Sequence, residues 1–140
     1  MKIKRNIPKV NKHFYYFQPN RKNAAGKEGD GVIRAFAGAT GRDWLSIFDE
    51  LVQTARENWW LLNGKNNYQH FLKNNGFVYS GISNKKGRHR PTTLEFCKAH
   101  REGTFVLVLA NHLTCVKDGI NYDTWDCKDC SLYGYWEKIN

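Results

Sequence analysis

The residues with the clearest chemical potential lie in the stretch His112-Leu-Thr-Cys-Val-Lys-Asp-Gly-Ile-Asn-Tyr-Asp123-Thr-Trp125. Asp118-Gly119 between two β-prone runs is a two-residue hairpin signal, and it fixes the pairing. Lys117 then faces Ile120, Val116 faces Asn121, Cys115 faces Tyr122, Thr114 faces Asp123 and His112 faces Trp125. In that register His112 and Asp123 share one face as diagonal neighbours, roughly 7 Å apart at Cβ and within reach of a hydrogen bond. Asp126 points to the other face. A carboxylate that accepts one ring N–H sets the imidazole tautomer and leaves the other nitrogen as a base, the orienting half of a nucleophile–His–Asp triad. A hydrogen-bonded pair that merely stiffens the hairpin is the structural alternative. The hairpin supplies no nucleophile.

The loop Gly26-Lys-Glu-Gly-Asp30-Gly31 precedes Val32-Ile-Arg-Ala-Phe-Ala-Gly-Ala39, which is apolar nearly all round and therefore reads as a buried helix. The unpaired N–H groups and dipole at such a helix start lower a thiol's pKa and can donate to an oxyanion. The four cysteines are Cys97, Cys115, Cys127 and Cys130. With no secretory signal they do not read as a disulfide framework. Cys127-x-x-Cys130 is half of a zinc site, but the obvious completing pair is absent from the sequence, so no metal and no cofactor are expected.

The net charge of +9 is concentrated at the start, where residues 1–30 carry +6. Lys2, Lys4, Arg5, Lys9 and Lys12, followed by His13 to Phe17, can lie along a phosphate backbone with bases stacked on the rings. Alternatively Phe14 to Phe17 pack on the core as a strand or segment, with solvated lysines around them. Lys85, Lys86, Arg88 and Arg90 form a second basic cluster in a loop. Two basic patches on a small chain raise the prospect of an acidic macromolecular partner, a nucleic acid or a host protein. No apolar run approaches the ~20 residues that cross a membrane, and a cytoplasmic location is expected. Oligomeric state is not readable.

The elements that must position these residues read as helices followed by strands in one domain of 140 residues. Residues 43–60 form the clearest helix, with Trp44, Ile47, Phe48, Leu51, Val52, Ala55 and Trp59 on one apolar face and Thr40 with Asp43 as a capping pair. A shorter helix spans 67–74 and is closed by Asn75-Gly76. Pro91-Thr92 with Glu95 opens a third helix to about His100. Thr104 to Ala110 reads as a strand buried on both faces, the hairpin follows, and Leu132 to Trp136 is a final strand.

Asp30-Gly31-Val32-Ile33-Arg34-Ala35, Gly103-Thr104-Phe105-Val106-Leu107, His112 and Tyr122-Asp123-Thr124-Trp125-Asp126 together resemble the motifs of small papain-like cysteine-peptidase-like proteins of phages and mobile elements. That family opens with Asp-Cys-Val-Ile-Arg-Ala. The resemblance covers roughly Asp30 to Trp136. It implies an α+β, papain-like fold, N-terminal helices packed on a C-terminal antiparallel sheet, over residues 30–140, with 1–29 as a basic arm. By position it puts Gly31 in the nucleophile's place, His112 in the base's and Asp123 in the orienter's. Gly31 has no side chain and attacks nothing. It is either an engineered replacement or a natural loss, and because engineers usually choose Ala or Ser, natural loss is favoured. Three function classes follow: a pseudoenzyme that binds a protein or nucleic acid, a thiol hydrolase seen without its nucleophile, and a structural phage component.

Overall fold

A computed structural model describes residues 12–23, 29–83 and 89–139 of the chain. The chain order is β1 (Phe14–Tyr16), α1 (Gly31–Thr40), α2 (Trp44–Asn58), α3 (Lys65–Asn74), β2 (Phe77–Gly81), α4 (Thr93–Ala99), β3 (Thr104–Leu109), β4 (His112–Lys117), β5 (Ile120–Asp123) and β6 (Gly134–Lys138). The architecture is α+β. All the strands join one sheet in the order β1-β5-β4-β3-β6-β2.

The hairpin forms in the expected register, with Lys117 opposite Ile120, Val116 opposite Asn121 and Cys115 opposite Tyr122. Its turn residues Asp118 and Gly119 both take positive φ, 51° and 78°, which is why this pair of residue types makes the turn. Alternation along β3 and β4 divides the core. Val106, Leu113 and Cys115 pack beneath α1, α2 and α3, while Phe105, Leu107 and Val116 pack with Phe96 and Cys97 of α4 and with Cys127 and Leu132. The capping box of Thr92 and Glu95 starts α4 as expected. The central strand β3 is buried on both faces, and α1 is buried from Ile33 to Ala39.

Several expectations are corrected. The sheet is mixed, because β1 runs parallel to β5 with Phe14 opposite Asn121 and Tyr16 opposite Asp123. The open edge of β5 is satisfied there, and burial of Phe14 to 2% exposure holds the strand in place. The packed reading of Phe14 to Phe17 therefore holds, and a strand lies inside the stretch read as a basic arm. A further strand, β2, was not foreseen; it pairs with β6 and has only Phe77 buried. Strand β6 begins at Gly134, although Leu132 is fully buried just before it. Thr40 ends α1, its hydroxyl donating to the Phe36 carbonyl, so Asp43 alone caps α2 by accepting from the Ser46 N–H at 2.8 Å. Trp59 leaves the apolar face of α2: it adopts φ 59° at the helix end and is 95% exposed.

Candidate functional site at the start of α1

The site is assembled where the start of α1 meets the ends of β4 and β5. His112 Nε2 lies 2.7 Å from Asp123 Oδ2, and because a carboxylate is an acceptor only, the ring Nε2–H donates to it. The tautomer is thereby set, and Nδ1 faces away from the carboxylate. A Cβ built on Gly31 would lie 3.4 Å from both His112 Nδ1 and Cε1. His112 and Asp123 thus meet as the hairpin register predicts, and Gly31 lies beside them, the placement the resemblance implies. Asp126 does not join them; it accepts from the Lys128 N–H.

Asp123 is 1% exposed and heavily bonded. Arg34 Nε donates to its Oδ1 at 3.0 Å, and the Thr114 hydroxyl donates to Oδ2. The Asn121 amide donates in turn to the Thr114 oxygen at 2.8 Å. Arg34 also donates through Nη1 to Asp30 Oδ1 at 2.8 Å, and Trp44 Nε1 donates to the other oxygen of Asp30 at 2.9 Å. Burial raises the carboxyl pKa of Asp123, but the hydrogen bond and charge of His112, the charge of Arg34 and the Thr114 hydrogen bond outweigh it, and the net shift is downward. Trp125 stands over the imidazole, ring centroids 5.0 Å apart. A cleft of about 660 Å³ opens over His112 and Gly31, bordered by Asn63, Tyr68, Val108 and Trp125.

None of the four cysteines lines this cleft. Burial pushes the Cys97 and Cys115 thiols up to about 12, and Cys115 packs where a Cβ on Gly38 would touch its sulfur, in the last turn of α1. Cys127 is fully buried behind the His112–Asp123 pair, its Sγ 3.5 Å from Asp123 Oδ2, and burial pushes its pKa strongly upward. All four cysteines are free thiols.

Of the basic candidates, Lys2, Lys4, Arg5, Lys9, Lys85, Lys86 and Arg88 lie outside the described residues. Lys12 is exposed, and Arg90 sets its guanidinium 4.5 Å over the Tyr133 ring. Arg34 and Thr114 were not singled out from the sequence, although signals existed. A lone cation on an otherwise apolar helix must find a buried partner, and Thr114 alternates onto the face shared by His112.

Comparison of the chain with protein-family models, with curated proteins and with solved structures finds no match. Among the described residues no helix is long and apolar enough to cross a membrane.

Proposed function

We propose that the chain is a papain-like pseudoenzyme, which keeps a base and its orienting acid at the start of a buried helix and acts by binding a macromolecular partner rather than by cutting it. The observation that carries this reading is the 3.4 Å between His112 Nδ1 and the Cβ position of Gly31 while Nε2 is held by Asp123. A thiol at that position would sit beside a pre-oriented base and at the positive end of a helix, the two influences that lower a thiol pKa. Because the chain holds no such thiol there, it is assigned binding rather than bond cleavage, through the basic residues near its N-terminus. The same spacing favours a second reading, a thiol hydrolase of peptide or isopeptide bonds whose cysteine Gly31 replaces.

Gly31→Cys tests the shared premise. The introduced thiol should label with iodoacetamide at a pH well below the ordinary thiol range, and adding His112→Ala should return it to ordinary reactivity. Labelling no faster than a free thiol in a folded variant overturns the papain-like reading of the site. Peptide or isopeptide hydrolysis by Gly31→Cys favours the hydrolase reading, whereas a reactive thiol without turnover favours the binding one.

A further inference from the structure

Behind the His112–Asp123 pair the fold brings one half of the Cys127-x-x-Cys130 motif, Cys127, to an imidazole and a carboxylate. Two ligand types of different hardness, an imidazole and a carboxylate, arrive from β4 and β5 beside the Cys127 sulfur. His112 Nε2, Asp123 Oδ2 and Cys127 Sγ all lie within 4.8 Å of one another. We propose that these three residues form a site for a soft divalent cation of the zinc class.

Zinc bonds of about 2.0–2.3 Å in tetrahedral geometry place neighbouring ligand atoms roughly 3.3–3.8 Å apart. The Cys127–Asp123 separation of 3.5 Å already meets that spacing. The His112–Asp123 separation of 2.7 Å must open by less than about 1 Å, a movement His112 can make because it is the one ligand of the three that reaches the cleft. Charge also balances. A divalent cation is matched by the Asp123 carboxylate and a Cys127 thiolate, His112 binds as the neutral ring, and Arg34 is already paired with Asp30. Asp123 Oδ2 receives His112, Thr114 and Cys127 together, and the thiol also reaches the Trp125 carbonyl at 3.5 Å. Thr114 and Arg34 remain as supports that orient the ligating carboxylate.

Waters of the incoming aqua ion give way to the Cys127 sulfur, Asp123 Oδ2 and His112 Nε2, one water keeps the fourth tetrahedral position, and one proton is lost. The Cys127 S–H proton passes to solvent, and the imidazole proton moves from Nε2 to Nδ1, so that the Nε2 lone pair faces the metal. The metal-loaded protein then presents an N–H donor, not a base, towards Gly31. A thiolate, an imidazole and a carboxylate suit zinc or cobalt over magnesium or calcium.

The test uses the full native chain, with Gly31 in place, so its outcome is separate from that of the introduced thiol above. Titration with cobalt(II) should saturate at one equivalent, with a sulfur-to-cobalt charge-transfer band and the strong visible bands of a tetrahedral ion. Cobalt binding should release a proton, and zinc should then displace cobalt without further release and raise the thermal midpoint. Cys127→Ser should abolish the charge-transfer band and Asp123→Asn should weaken binding, while Cys130→Ser should keep the band. Absence of a saturable charge-transfer band in the native chain overturns the proposal without recourse to any variant. So does a band that survives Cys127→Ser or disappears only with Cys130→Ser.

Discussion

Arg34 of α1 donates its Nε to Asp123 Oδ1 at the end of β5, 3.0 Å away, and so ties the helix that carries Gly31 to the acid that orients His112. With Nη1 on Asp30 the guanidinium bridges two buried carboxylates, one at the helix start and one on the sheet. A rigid planar fork is suited to this. The relative position of the helix start and the imidazole therefore depends on one buried cation as well as on the apolar packing of α1.

Removal of that cation should be severe. Arg34→Met leaves Asp123 and Asp30 buried without their common partner, and a loss of about 3–5 kcal/mol is expected. Arg34→Lys should recover only part, because a single ammonium cannot span both carboxylates as the fork does. Urea denaturation of the two variants against the native chain measures both, and a loss below ~1 kcal/mol for Arg34→Met would show the bridge to be dispensable.

The lowered pKa of Asp123 links folding to acid. A carboxylate that binds its proton less readily when folded contributes stability that is complete above its ordinary value of 3.8 and is lost as pH falls towards the folded value. Stability measured by chemical denaturation should fall below that pH. In Asp123→Asn, destabilised as it will be, the acid limb should be shallower. An unchanged slope would place the acid sensitivity in other groups.

Partner binding should depend on salt. If an acidic macromolecule is bound through the N-terminal cations, neutralising Lys2, Lys4, Arg5, Lys9 and Lys12 with glutamine should weaken binding to single-stranded DNA and flatten the dependence of affinity on salt. The fold should stand, because the substitutions leave Phe14, which anchors β1, untouched. Unchanged affinity would shift the interaction to Lys85, Lys86, Arg88 and Arg90, while a parallel loss of thermal stability would mark the segment as scaffold.

The hairpin, its register and the His112–Asp123 partnership were legible from the sequence because they are local. Asp118-Gly119 dictates the turn, and period-two alternation then decides which side chains share a face. The helix at Gly31 was legible for a similar reason, since a run apolar on every side has only a buried destination. Sequence did not show that β1 would dock parallel on β5, since three residues carry no pairing signal and the free edge is created only when the hairpin has formed. Nor did it show Arg34 reaching Asp123 across 89 positions. Those contacts depend on how β1 and α1 approach the sheet. Packing geometry sets that approach, and no local pattern of residues encodes it.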